Sequence, residues 1–194
     1  MISTTSSFTE NLMTVEEFLA LPDNDSFDRI LIRGRKWEKP KLPHDWRHAS
    51  CNSSLSHLLT EWSQSLNKRM GRGFAGECGF LLRENPASVV GIDVAFVSCE
   101  VLSRTNRWSQ LVNGIPLLAI EILSPDDLQE EINMRVGEYL EVGVPLVWVV
   151  EPISQTVMVH CQDEKTRLFA GDEVLVGEPF LPGLRVVASR IFAD

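Results

Sequence analysis

The segment 117–150 constrains the fold more tightly than any other part of the chain. It opens with LLAIEIL, a short apolar run bounded by Pro116 and Ser124, and it closes on PLVWVV, a second such run. Runs this short and this apolar read as strands of a sheet covered on both faces. Between them lies a helix with signals at both ends. Ser124 is a natural N-cap, Pro125 suits the first helical position, Asp126 and Asp127 favour the positive end of the helix dipole, and Gly143 can close the far end. Strand, helix and strand in this order make a β-α-β unit with parallel strands and a right-handed crossover, and the chain reads as an α/β protein.

The rest of the sequence fits around that unit. Thr14 and Glu17 form a capping-box pattern ahead of Val15, Phe18 and Leu19, which predicts a short helix ending before Pro22. Residues 28–37 read as a strand with a turn at Gly34. Over 46–66, Cys51, Leu55, Leu58, Leu59, Trp62 and Leu66 recur at helical spacing and predict an amphipathic helix with one buried face. Residues 74–82 and 92–97 read as further strands, and 156–160 and 173–176 extend the sheet at its edge. No repeat, low-complexity block or linker divides the 194 residues, of which 44% are apolar, a length that builds one sizeable core rather than two. A single domain over 12–194 is expected, after a polar tail, MISTTSSFTEN, over 1–11.

Composition removes several function classes. No apolar run approaches the roughly 20 residues that cross a bilayer. The four cysteines are scattered, without a C-x-x-C pair or a histidine at zinc-ligand spacing, and read as reduced thiols of a cytoplasmic protein. A net charge of −9 gives no overall attraction to a polyanion, which argues against a protein that coats DNA. It argues less against a metal nuclease, where cations supply positive charge at clustered carboxylates.

Two carboxylates interrupt apolar strands: Asp93 in GIDVAFV and Glu121 in LLAIEILS. A lone ionised carboxylate buried in such a place costs several kcal/mol unless it is paired, hydrogen-bonded or bound to a metal. From the strands alone, two readings stand: each acid reaches water or a loop donor at a strand end, or both serve a site. The following helix bears on the choice. At 100° per residue, Leu128, Ile132, Val136, Tyr139 and Leu140 form one apolar stripe with Arg135 inside it, while Glu131, Met134 and Glu138 face outward. A guanidinium directed at the sheet seeks a carboxylate, and Glu121 is the nearest in sequence.

At these residues a resemblance becomes specific. GIDVAFV, LAIEILSP and RVGEYLEVGVPLVWVVEP, with the opening MTVEEFLALP, His48, GECGFLL and the closing LPGLRV, resemble in order and spacing the Uma-type restriction endonuclease family of the PD-(D/E)XK nuclease superfamily. The resemblance implies a restriction-endonuclease-like α/β fold, a central mixed β-sheet flanked by helices, in which Asp93 and Glu121 on neighbouring strands hold Mg²⁺ or Mn²⁺. It implies metal-dependent hydrolysis of DNA phosphodiester bonds, by a homodimer where two strands are cut. A family lysine on the following helix corresponds to Arg135, whose role would be to bind phosphate or steady the transition state.

Three departures from the family pattern stand out. Arg135 stays protonated and cannot take a proton from water. Ile92 replaces the proline that the family places before the aspartate. The first-strand pattern Y-E-L-x-x-G-E becomes RILIRGR over 29–35, without its two carboxylates. A competing reading follows, in which Arg135 pairs with Glu121 or Asp93 in place of the ion and the domain is an inactive structural or binding module. Two further residues are candidates for the same cleft. Glu77 is either a member of it or a solvated edge carboxylate, and His48 is either a phosphate or water contact or a hydrogen-bonded structural histidine. Lys68, Arg69 and Arg72, with Lys39 and Lys41, are the basic groupings of note; they border a nucleic-acid groove or form a solvated surface.

Overall fold

The structure, a computed structural model, describes residues 12–22, 26–41, 43 and 45–192; the tail expected over 1–11 lies outside them. The first helix, α1 (Val15–Leu19), carries the expected capping box, with the Thr14 side chain accepting from the Glu17 N–H and Glu17 reaching back to the Thr14 N–H. Strands β1 (Phe27–Ile32) and β2 (Arg35–Pro40) form a hairpin. Its turn is Arg33-Gly34, both at positive φ (52° and 76°), the geometry a two-residue turn needs to match strand twist. Glycine is required at 34 on a second ground, because a Cβ there would stand 2.6 Å from the Leu12 Cβ.

After α2 (Trp46–Ser65) come the two longest strands, β3 (Gly71–Glu84) and β4 (Ala87–Ser98), paired along their length. A short helix, α3 (Cys99–Arg104), and a two-residue strand, β5 (Val112–Asn113), lead into β6 (Leu118–Ile122), α4 (Gln129–Glu141) and β7 (Leu146–Glu151). Then follow β8 (Thr156–Cys161) and β9 (Arg167–Ala170), and a separate ribbon of β10 (Val174–Val176) and β11 (Arg185–Val187). The main sheet runs β2-β1-β4-β6-β7-β8-β9, with β3 branching from β4 and β5 pairing onto β3. Strands β6 and β7 are parallel and their other pairings antiparallel, so the sheet is mixed, as expected.

Two apolar layers hold the helices to this sheet. Under α2, Cys51, Leu55, Leu59 and Trp62 pack on Val94, Phe96, Leu118, Ile120 and Trp148. Under α4, Ile132, Val136 and Tyr139 pack on Ala95, Ala119, Val147 and Val149. Along β6, alternate residues thus serve opposite faces, which is why LLAIEIL reads as an unbroken apolar run. In β4 the alternation inverts at Asp93: Val90 and Ile92 join the α4 layer, whereas Val94 and Phe96 join the α2 layer. Opposite the inversion, β3 carries a bulge between Ala75 and Cys78, with Gly76 and Glu77 at positive φ. Among the described residues no helix is long and apolar enough to cross a membrane.

Three local expectations need correction. Helix α4 begins at Gln129, not after Ser124, because Asp127 closes a turn by accepting the Ser124 N–H at 2.8 Å and Leu128 becomes the N-cap without a side-chain cap. Residues 174–176 pair with β11 rather than with the main sheet. Glu138, expected on the outward face of α4, is buried: it accepts from Arg33 Nε at 2.8 Å, Arg83 Nη2 at 2.6 Å and Ser88 Oγ at 2.6 Å. Helical arithmetic assigns faces toward a flat sheet, and the β1–β2 turn and β3 wrap around the helix flank that carries Glu138.

Candidate functional site

Strands β4 and β6 pair from Phe96–Leu118 to Val94–Ile120, and Asp93 and Glu121 are the next residues of the two strands beyond the end of that ladder. Asp93 Oδ2 accepts the Ile122 N–H at 2.8 Å, which ties its carboxylate to the backbone beside Glu121. From α4, Arg135 Nη1 donates to Glu121 Oε2 at 2.6 Å and Nη2 donates to the Gly91 carbonyl at 3.1 Å, while Nε is buried without a partner. One helical turn on, the Tyr139 hydroxyl donates to Glu121 Oε1 in a short hydrogen bond. Both oxygens of the buried Glu121 carboxylate are therefore occupied by donors from a single helix.

From the other layer, His48 Nε2 lies 3.4 Å from Asp93 Oδ2. The His48 backbone N–H is held by Asp45, the N-cap of α2, at 2.9 Å. Burial alone would lower the histidine pKa, but the Asp93 carboxylate beside it prevails and raises it. For Asp93, burial pushes upward, yet His48 and the Ile122 N–H hold the carboxyl below its ordinary value. Glu121 differs. Burial pushes its carboxyl up to about 7, with Arg135 and Tyr139 pulling against that shift and the charge on Asp93 adding to it.

A cavity of about 200 Å³ opens beside this cluster, walled by Ile30, Trp37, Lys39, Glu77, Asp127 and Arg135 among others. Arg135 is the link, since it lines the cavity and also bonds Glu121, whereas neither Asp93 nor Glu121 is among the lining residues. The structure brings Asp93, Glu121, Arg135 and His48 into one cluster, and it places Glu77 on the cavity wall, in the β3 bulge. The sequence does not point to the Tyr139 hydroxyl or to Trp37 as site groups, and it offers Lys39 only as one of the basic residues bordering a groove or forming a solvated surface. Tyr139 sits on the apolar stripe and was read as core, and the only available signal was its spacing one turn after Arg135. Lys39 is held by Asp127 at 2.7 Å. Ile30, which stands where the family pattern carries a glutamate, offers a methyl-bearing side chain to the cavity.

Restriction-endonuclease-like proteins generally use divalent metal ions, and an ion such as Mg²⁺, which keeps several waters, still needs one or two carboxylates with oxygens free to face it. The arrangement here does not provide them. Both Glu121 oxygens and Asp93 Oδ2 already serve protein donors, Ile30 supplies no ligand, and among the described residues no group of three or more His, Cys, Asp or Glu side chains is placed to hold a metal ion. As arranged, the residues do not fit a divalent cation.

The mixed sheet with a helix on each face, and an acidic pair where two central strands meet, defines a nuclease-like α/β class. A crystal structure from Anabaena variabilis, described as "a putative nuclease belonging to DUF820", shares this fold with a TM-score of 0.76 at 23% identity, covering 93% of this chain and 97% of that one. Residues 15–189 match the family Uma2, described as "Putative restriction endonuclease", and the chain belongs to that family. No curated protein matches the chain.

Proposed function

We propose that this chain is a restriction-endonuclease-like domain in which an internal ion pair stands in for the divalent ion, leaving a binding module on a nuclease scaffold that does not cleave DNA. The observation that carries this reading is the closure of Glu121 by Arg135 and Tyr139. Admitting a dication requires Arg135 to give up its hydrogen bonds to Glu121 and the Gly91 carbonyl, a loss of about 3–5 kcal/mol for two bonds made by a charged donor. That is about two to four orders of magnitude in apparent metal affinity. A lysine at this position has one compact ammonium and withdraws easily; an arginine donates to Glu121 and Gly91 together and cannot act as a base.

A second reading draws support from the nearness of Asp93 and Glu121, whose carboxylates lie beside the Ile122 N–H and Arg135 in one cluster, and from the burial that raises the Glu121 carboxyl. In it the chain is a Mg²⁺- or Mn²⁺-dependent endonuclease on DNA, of PD-(D/E)XK type, in which Asp93 and Glu121 hold the ion, Arg135 faces phosphate, and a homodimer serves two strands. A cleavage assay on plasmid and single-stranded DNA with Mg²⁺ or Mn²⁺ separates the two. Wild type and Asp93→Ala should be equally inert, while the double variant Ile30→Glu with Arg135→Lys should gain nicking activity. Cleavage by wild type that disappears in Asp93→Ala would refute the closed-centre proposal and establish the second reading.

A further inference from the structure

The chain carries 27 acidic against 18 basic residues, yet one groove is lined by arginines with no acid among its walls. It lies between the start of β3 and the connection from α3 to β5, with a volume of about 530 Å³. Arg69 and Arg72 come from one wall and Arg107 from the other, side chains that are 35 or more positions apart in sequence. Among the described residues none of the three has a carboxylate partner, whereas Glu100 on neighbouring α3 is taken by Arg104. Several other arginines of this molecule find acids, as Arg33 does with Glu138 and Glu141, Arg83 with Glu138 and Arg47 with Asp45. Three guanidiniums that meet no carboxylate among the described residues, gathered in one groove of an acidic protein, are suited to an anionic partner.

The aromatic residues say which anion. The Arg72 guanidinium lies 5.9 Å from the Phe74 ring centroid, and that of Arg107 lies 5.2 Å from the Trp108 centroid. Trp108 is 82% exposed and stands at the rim of the groove, between the lining residues Arg107 and Ser109 but not itself part of the lining. A large ring left in water beside cations is a poor choice for stability and a good platform for an unpaired base, which stacks on the ring while the phosphates meet guanidiniums. A duplex keeps its bases stacked inside and offers none to Trp108. An acidic peptide would use the charges and leave the rings idle.

We propose that this groove binds single-stranded nucleic acid, with phosphates on Arg69, Arg72 and Arg107 and a base on Trp108. The proposal stands apart from the closed acidic centre, because the groove shares no lining residue with the cavity at Arg135 and needs no metal ion. The test is fluorescence anisotropy of a labelled oligothymidylate about twelve nucleotides long, titrated with the full chain in EDTA at salt between about 50 and 200 mM. Saturable binding is expected, with log K falling against log salt at a slope of about −2 for three phosphate contacts. Each of Arg69→Ala, Arg72→Ala and Arg107→Ala should flatten that slope by about 0.7. Trp108→Ala should weaken binding about 10-fold with the slope unchanged. These exposed substitutions should leave the thermal midpoint where it was, so a lost signal is not a lost fold. Absence of saturable binding, indifference to Trp108→Ala, or equal competition by a duplex of the same length would each overturn the proposal. Equal competition by a polyglutamate or phosphoserine peptide would do the same and would point to a protein partner.

Discussion

Arg135, Glu121 and Tyr139 show how much a short stretch of helix can decide. Arg135 was legible in the sequence because a cation inside an apolar stripe has to meet an acid, and Glu121 was the acid at hand. Tyr139 was not legible in the same way, since a tyrosine on that stripe packs as core wherever its hydroxyl ends up. The structure gives the hydroxyl a definite task as donor to a buried carboxylate. Tyr139→Phe should therefore lower unfolding stability by about 1–3 kcal/mol, the cost of leaving a buried acceptor short of one donor, although it adds no cavity. Urea denaturation with an unchanged m-value would show this, and a neutral result would mean that the carboxylate finds another donor.

Helix α4 is held at two places on its surface, and only one of them was foreseen. The Arg135 side meets the acidic pair, while Glu138 ties the helix to the β1–β2 turn through Arg33 and to β3–β4 through Arg83 and Ser88. Those arginines reach Glu138 from positions 105 and 55 residues away, a separation no local pattern reports. Near the first strand, Arg33 reaches this helix, while Ile30, at one of the two positions where the resemblance leads one to expect an acid, lines the cavity. For Glu138, burial raises the pKa, but the hydrogen bonds from Arg33, Ser88 and Arg83 outweigh it and hold the carboxyl below its ordinary value. A lowered folded pKa gives stability that is present above the unfolded value and lost as pH falls through the folded one. Glu138→Gln should thus cost roughly 2–3 kcal/mol at neutral pH. The gap to wild type should close as pH drops below the ordinary glutamate range, readable in paired denaturation curves from neutral to acid pH. A gap independent of pH would mean that Glu138 acts by shape and not by charge.

For the whole molecule, charge and topology pull apart what a linear reading joins. The net −9 describes the chain on average, but folding gathers Arg69, Arg72 and Arg107 into one groove and encloses Asp93 and Glu121 with a guanidinium in another place. A ligand that binds only the folded state raises its stability by mass action. With the acidic centre closed, Mn²⁺ at millimolar concentration should leave the thermal midpoint within about 1 °C of its value in EDTA. A metal-dependent rise that vanishes in Asp93→Ala would mark an open cation site and favour the endonuclease reading. Sequence by itself determined the α/β class, the strand-helix-strand unit and the two acids that cannot be left alone, because hydropathy period and isolated charges act over a few residues. Tertiary structure alone decided that both Glu121 oxygens are taken, that Glu138 is buried, and that distant arginines share a groove. Those outcomes depend on which segments meet across the sheet, and contacts made by long-range packing leave no local period to read.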